Sequence, residues 1–123
     1  MGKLVADAVL DAALQYLEDN VDRISVCSTQ PTTYAEAITT YKLAISSTPT
    51  FTGPANGDTN GRKTTVDQEA AITVDTGGDA QHIALCKSGT TVLLYVTTCT
   101  LQALTGGNTV TIPAWDIEIA DPT

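Results

Sequence analysis

The chain has few of the residues on which nucleic-acid-binding proteins and most hydrolases depend. Among its 123 residues there are six basic side chains against fourteen acidic ones, and the formal net charge is −8. A surface of this sign repels phosphate backbones and anionic membrane surfaces. We therefore expect neither a nucleic acid nor a membrane as partner, and we expect that the chain binds other protein.

Cysteine and histidine are scarce as well. The three cysteines, Cys27, Cys86 and Cys99, form no Cys-x-x-Cys pair, and His82 is the single histidine. A zinc site needs more ligands at closer spacing, and an odd number of cysteines cannot all pair within one chain. The pattern predicts three reduced, buried thiols. A Cys86–Cys99 bridge is the alternative if their strands are neighbours.

Long apolar runs and catalytic motifs are also absent from the sequence. The apolar N-terminal stretch is interrupted by Asp7 and Asp11, and no run approaches the roughly 18 residues of a membrane span. There is no Gly-x-Ser-x-Gly elbow, phosphate loop or Rossmann fingerprint. We expect a protein that is made in the cytosol, is not exported by the usual route, and has neither catalytic residues nor a cofactor.

The composition suits one β-rich domain. Hydrophobic residues make up 42% of the chain, enough for one core, and threonine, which favours strands, is the commonest residue. We predict a single domain over residues 1–123, mainly β, with an N-terminal helix over residues 3–19 packed on an antiparallel β-sandwich over residues 23–120. We expect about seven or eight short strands in a jelly-roll or immunoglobulin-like arrangement.

Alternation of apolar and polar residues, together with turn residues, places these strands. Ser88-Gly89 is expected to form a hairpin turn, and the apolar run Val92–Val96 predicts a strand buried on both faces. The phase of alternation changes at Pro113, which predicts a bend that keeps the apolar residues on either side, including Trp115, facing the core. The predicted strands are Arg23–Ser28, Tyr41–Ser46, Arg62–Val66, Ala71–Asp75, Gln81–Lys87, Thr91–Thr98 and a last pair around Pro113.

The N-terminal helix has a narrow polar stripe and a wide apolar arc. Asp7, Asp11, Gln15 and Glu18 share the stripe on a helical wheel, and the arc is wider than one core-facing side needs. Either the helix is embedded in its own domain, or it lies between its sheet and a neighbouring subunit. For the second case we expect an interface formed by Val5, Val9, Leu10, Leu14 and Leu17, together with Phe51 from a long loop.

That loop, residues 46–61, is of a length that is usually functional or mobile in a compact domain. It contains Asn56-Gly57-Asp58-Thr59-Asn60-Gly61, and with Asp67 at the twelfth position it has the oxygen-ligand spacing of a calcium loop. The first position is Asn rather than Asp, the twelfth is Asp rather than Glu, and no helix follows. Tight turns use the same residues. We therefore interpret the motif as a turn, with a calcium site as the alternative, formed by Asn56, Asp58, Asn60 and Asp67.

Other chemically suggestive residues also have structural interpretations. His82 with Cys27 or Cys86 would form a nucleophile pair, but His82 lies in a predicted strand and fits a structural role. Asp116 and Glu118 share one face of a strand, as a glycosidase pair would, and fit an acidic, solvated strand face that discourages aggregation. A carbohydrate-binding module would need exposed aromatic rings, for which the candidates are Tyr34, Tyr41, Phe51 and Trp115.

Four stretches of the sequence resemble small proteins that are encoded among the structural genes of tailed bacteriophages and prophages. The stretches are LVADAVLDAAL (residues 4–14), CSTQPTTYAEA (27–37), GDTNGRK (57–63) and GNTVTIPAWDIEI (107–119). The resemblance extends over nearly the whole chain. It implies a component of the virion that is made in the cytoplasm of the bacterial host.

The role that this resemblance implies is head decoration, or cement. Such a protein is non-enzymatic, binds the major capsid protein on the outside of the shell and stabilises it. A homo-oligomer, either a dimer or a trimer, would suit the local symmetry axes of a shell. The alternatives are another virion component, in the tail, the neck or the base of a head fibre, and a carbohydrate-binding β-sandwich module.

Overall fold

The computed structural model describes residues 3–122 and confirms a mainly β chain with an N-terminal helix. The helix, α1, covers Asp7–Asn20 rather than residues 3–19. Nine strands follow within the described residues, more than the seven or eight predicted, and a π-helical turn, Glu36–Thr40, lies between the first two. The strands are β1 (Arg23–Cys27), β2 (Lys42–Ser46), β3 (Phe51–Asn56), β4 (Arg62–Val66), β5 (Glu69–Thr73), β6 (Gly78–Lys87), β7 (Val92–Leu104), β8 (Thr109–Ile112) and β9 (Trp115–Ile119).

The strands form three antiparallel sheets in a sandwich-like arrangement. Sheet A has the order β2-β1-β6-β7, sheet B has the order β3-β4-β9, and sheet C pairs β5 with β8. Apolar side chains from all three sheets and from α1 meet in one main core, which includes Leu14, Ile24, Val66 and Ile72. The predicted antiparallel sandwich with a helix packed on it is therefore confirmed.

The central strands of sheet A are buried on both faces. Ile24 and Leu85, which pair across β1 and β6, point into the main core, and their neighbours Ser25 and Ala84 point the other way. The π-helical turn covers this second face, where Ala37 is fully buried. The Ser25 hydroxyl donates a hydrogen bond to the Ala37 carbonyl oxygen at 2.7 Å, which ties the turn to the strand.

The strand β7 does not have the burial predicted for Val92–Val96. It is an edge strand of sheet A and pairs only with β6 among the described residues. Val92 is 40% exposed, and the rest of the run is half-buried. The prediction of burial on both faces is therefore wrong. An apolar run shows that a strand is able to be buried, but its burial depends on other segments packing over it, and the run itself does not specify these segments.

The loop predicted over residues 46–61 contains a strand. β3 pairs with β4, with a register shift between Thr52 and Ala55. Pro54 lies within this shift, and β3 is an edge strand, where a residue without an N–H group is tolerated. The proline and glycine of this segment therefore mark an irregular edge strand rather than a loop, and Phe51 packs half-buried against the main core.

The change of phase at Pro113 marks a change of sheet. β8 before it pairs with β5 in sheet C, whereas β9 after it pairs with β4 in sheet B. Ile112 and Ile117 are both buried in the main core, so the predicted common inward face is confirmed. The turn predicted at Ser88-Gly89 is also present, between β6 and β7.

Candidate functional site

Part of the polar stripe of α1 faces the protein rather than the solvent. The Asp11 carboxylate accepts two hydrogen bonds from the Arg62 guanidinium on β4, at 2.7 and 3.3 Å. Two helical turns later, Glu18 lies near Thr64 on the same strand, and burial raises its pKa. Its Oε2 atom is buried and has no hydrogen-bond partner among the described residues.

Because Asp11 and Glu18 face β4, part of the apolar arc of α1 faces the solvent. Val9 is 62% exposed and Tyr16 is 56% exposed, and Ala12 and Ala13 between them are exposed as well. We call these four residues the outer face of α1. None of them is charged, although the chain has a net charge of −8. An exposed apolar face of this kind is typical of a surface that contacts another molecule.

Of the six predicted interface residues, Val9 alone is exposed. Val5, which precedes α1, is half-buried. Leu10 and Leu14, 7% and 1% exposed, are core residues of this chain, and Leu17 and Phe51 are half-buried against that core. The helix is thus embedded on one side and free on the other. The prediction of the interface from the sequence does not include Tyr16. Tyr16 lies opposite the polar stripe on the helical wheel, and this position could have identified it as an interface residue.

A second apolar surface lies between β7 and the connection from β8 to β9. This β7 cleft has a volume of about 350 Å³ and adjoins a further space of about 240 Å³. No charged side chain lines either part. The residues that line both parts are Ile83, Cys99, Thr100, Ile112 and Pro113.

Trp115 and Cys99 line the β7 cleft beside several threonine side chains and Gln102. The Trp115 ring, half-buried against the main core, lies 5.9 Å from the Tyr95 ring between centroids. Its Nε1–H group is buried without a hydrogen-bond partner among the described residues. Burial raises the pKa of the Cys99 thiol, so the thiol is protonated at neutral pH. The cleft therefore combines apolar side chains with threonine hydroxyls and a neutral thiol, and it carries no charge.

The residues of the alternative calcium site do not converge. Asp58 forms an ion pair with Lys63 at 2.7 Å, and Asn56 and Asn60 each accept a hydrogen bond from another group of the protein. Asp67 follows the opposite end of β4 and accepts hydrogen bonds from two threonine hydroxyls. Within residues 3–122, no three or more His, Cys, Asp or Glu side chains are placed to hold a metal ion. The motif forms the turn between β3 and β4.

All three cysteines are free thiols, and two of them, Cys27 and Cys86, are fully buried. His82 lies opposite Cys27 across β1 and β6, but burial raises the pKa of both buried thiols, to about 11 for Cys86. A protonated thiol without access to solvent is a poor nucleophile. Cys86 lies opposite Leu93, well before Cys99 along β7, so the alternative Cys86–Cys99 bridge is not formed.

The acidic pair on β9 is held in contacts within sheet B. Hydrogen bonds from the Thr65 hydroxyl at 2.7 Å and from Lys63 at 3.1 Å hold the pKa of Asp116 below its usual value. Glu118 accepts a hydrogen bond from the backbone N–H of Asp58. A carboxylate with a lowered pKa is ionised at neutral pH and is not suited to act as a general acid. These contacts fit the structural interpretation of the pair.

The four aromatic candidates for sugar stacking are all half-buried. Tyr34 and Tyr41 pack on the apolar cluster between sheet A and the π-helical turn, whereas Phe51 and Trp115 pack on the main core. None of them forms a freely exposed platform.

Among residues 3–122, no helix is long and apolar enough to cross a membrane.

Comparisons with known proteins do not assign the chain to a family. No protein-family model, curated protein or solved structure matches it. The outer face of α1 and the β7 cleft are therefore the features of the molecule that best indicate a function.

Proposed function

We propose that this chain is a non-enzymatic structural protein of a tailed-phage virion. Its role is that of a decoration or cement protein, which binds the major capsid protein on the outer surface of the shell and stabilises the shell. The observation that carries the proposal is the outer face of α1, where Val9 and Tyr16 are 62% and 56% exposed opposite the side that buries Leu10 and Leu14. The sequence resemblance supplies the identity of the partner.

The chemistry of the outer face suits contact with protein. Tyrosine is enriched among the residues that dominate binding energies, because it buries a large apolar area with little loss of side-chain freedom. Removing apolar surface from water contributes about 25 cal/mol per Å² before the costs of association. A partner that covers Val9, Ala12, Ala13 and Tyr16 leaves no charge of this face buried and unpaired, and so pays no large desolvation cost there.

The contacts behind α1 support a docking role because they fix the rotation of the helix. The paired hydrogen bonds between Asp11 and Arg62 and the burial of Leu10 and Leu14 hold the helix against β4 and the core. The outer face is therefore presented in one orientation before binding. Preorganisation of this kind reduces the entropy lost on association.

The charge of the chain supports a position on the outside of the shell. A net charge of −8 on a chain of 123 residues is repelled by packaged DNA. The same charge keeps free copies soluble before they bind. An interface that is locally uncharged allows such a chain to approach a protein shell without burying its own carboxylates.

The experiment is binding to phage particles that lack this protein, measured by co-sedimentation. The wild-type chain is expected to bind along the shell in many copies and to raise the temperature at which the particles lose their DNA. A double variant, Val9→Asp with Tyr16→Asp, is expected to bind at least about tenfold more weakly, because it places two carboxylates in an apolar contact. The control is Thr90→Asp with Thr105→Asp, which adds the same charge at exposed positions outside α1.

Equal binding of the two double variants would show that the outer face of α1 is not the docking surface. Labelled wild-type protein found at a single vertex or along the tail would contradict the decoration role and favour a tail, neck or head-fibre-base protein. Binding to a glycan array, with no binding to particles, would favour the carbohydrate-binding module.

A further inference from the structure

The β7 cleft is an open, uncharged site beside a free strand edge. β7 pairs with β6 on one side only, among the described residues, and contains no charged residue over Val92–Leu104. The cleft next to it is lined by Cys99, Ile112 and Trp115, together with threonine side chains. A strand edge next to apolar pockets is the arrangement by which sheets bind an extended segment of chain.

The chain itself carries a segment with the matching properties. Residues 3–6, which we call the arm, precede α1 and have no regular secondary structure. Leu4 is 92% exposed, and Ala6 has an extended backbone with φ −65° and ψ 142°. Leu4, Val5 and Ala6 are uncharged, and Lys3 is the one charged residue of the arm. An apolar side chain on an extended, uncovered segment is the complement of an apolar cleft along a strand.

The arm does not fill the cleft of its own copy. Leu4 is 92% exposed, so its side chain is not inserted into this chain. Asp11 contacts Arg62 at one end of β4, whereas Trp115 pairs with Val66 at the other end. Glu18 lies near Thr64, so α1 runs toward the Trp115 end and the arm leaves in the opposite direction.

We infer that the β7 cleft binds the arm of a second copy of this chain. Leu4 of one copy enters the cleft of the other between Cys99 and Trp115, and the arm backbone lies along the free edge of β7. Mutual exchange of arms closes a symmetric dimer, in which each copy gives and receives one segment.

Charge favours a second copy as the occupant. Two chains of net charge −8 repel each other over most of their surfaces, but both the arm at Leu4–Ala6 and the lining of the cleft are free of charge. Self-association through these two elements therefore avoids juxtaposing carboxylates. The inference holds whether or not the chain decorates a capsid, and it leaves the outer face of α1 free for another partner.

The test uses Cys99 as a built-in reporter of the cleft. In a Leu4→Cys variant, treated with diamide as oxidant, the new thiol and Cys99 of the other copy are expected to lose two protons and two electrons to diamide and form an intermolecular disulfide. The product is a dimer on a non-reducing gel, with a 4–99 linkage identified by mass spectrometry. The dimer is expected to disappear in Leu4→Cys with Cys99→Ser, since Cys27 and Cys86 are fully buried.

Two controls complete the test. Thr105→Cys places a thiol at another exposed position and is expected to give no linkage to Cys99. Light scattering on the unmodified wild-type chain is expected to return twice the chain mass of 12.8 kDa, and Leu4→Asp is expected to return the mass of one chain. Leu4 makes no core contact, so this variant keeps its fold.

Three results would overturn the inference. They are a wild-type mass of one chain at the concentrations used for cross-linking, an intramolecular 4–99 disulfide, and a cross-linked dimer that persists without Cys99. None of these measurements involves a capsid, so they are independent of the docking experiment, in which Leu4 is left unchanged.

Discussion

Two regions of this molecule have equally apolar sequences and opposite surroundings. In β6, Ile83–Cys86 is buried on both faces, between the main core and the cluster under the π-helical turn. In β7, which lies beside it, Val92–Val96 is half open to solvent, and so is the outer face of α1. The two strands differ because other segments of the chain pack over both faces of β6 but leave β7 partly exposed. An apolar segment left without cover in a compact domain is a candidate surface for contact with another molecule.

The largest expected effect compares a leucine from each strand. Leu85→Ala in β6 removes a fully buried side chain from the main core and is expected to lower the free energy of unfolding by about 2–5 kcal/mol. Leu94→Ala in β7 removes a half-buried side chain and is expected to cost less than half as much. Urea denaturation followed by circular dichroism measures both. Equal losses would show that β7 is covered in solution as fully as β6.

A gain of volume sharpens the same comparison. Ala84 is fully buried between sheet A and the π-helical turn, so Ala84→Leu overpacks this face and is expected to cost about 1–3 kcal/mol of stability. Ala13→Leu adds the same atoms on the outer face of α1, where the expected change is within about 0.5 kcal/mol. Thermal unfolding of the two variants measures the difference, and a large loss in Ala13→Leu would contradict the exposed position of that face.

The inner side of α1 contributes a smaller, pH-dependent effect. Burial raises the folded-state pKa of Glu18 above its ordinary value of 4.5, so ionisation of Glu18 destabilises the fold as pH rises from 4.5 through the raised pKa. Glu18→Gln is therefore expected to stabilise the protein at pH 7 and to lose this advantage below pH 4.5. Urea denaturation at pH 7 and pH 4 measures the change. Asp79→Asn, which removes an exposed carboxylate, is the control, and an equal gain in both variants would point to net charge instead.

The smallest effect on stability is expected on the outer face itself. Tyr16→Gln replaces an exposed ring by a side chain of good helix propensity, so the free energy of unfolding is expected to change by no more than about 0.5 kcal/mol. Binding to phage particles is expected to weaken all the same. A variant that keeps its melting temperature and loses its binding separates an interaction surface from a structural one, whereas unchanged binding would remove Tyr16 from the docking surface.

The sequence predicts those elements whose signal is local. The bounds of Arg62–Val66 agree with the prediction, and α1 ends one residue beyond it, because alternation and helix propensity act over neighbouring residues. The strand β3 escapes prediction because Gly53 and Pro54 are typical of turns, and only its edge position in sheet B makes a strand of them. The π-helical turn Glu36–Thr40 is too short for a periodic signal.

The candidate surfaces depend on contacts between distant parts of the chain. The wheel of α1 identifies the wide apolar arc, but the side that faces outward depends on Asp11 meeting Arg62, which lies fifty-one residues away. Leu10 and Val9 are neighbours with the same apolar character, and the rotation fixed by that ion pair buries one and exposes the other. The β7 cleft depends on the change of sheet at Pro113, which a single strand pattern does not specify.

Trp115 is the only tryptophan of the chain, and it lines the β7 cleft. The molecule therefore carries a single indole fluorophore, which can be excited apart from the four tyrosines, at the place where a second copy is inferred to bind. Insertion of an apolar arm removes water from the indole ring, and its emission is expected to shift to shorter wavelength as the protein concentration rises. The equilibrium between free and paired chains can thus be followed by dilution alone, without a label.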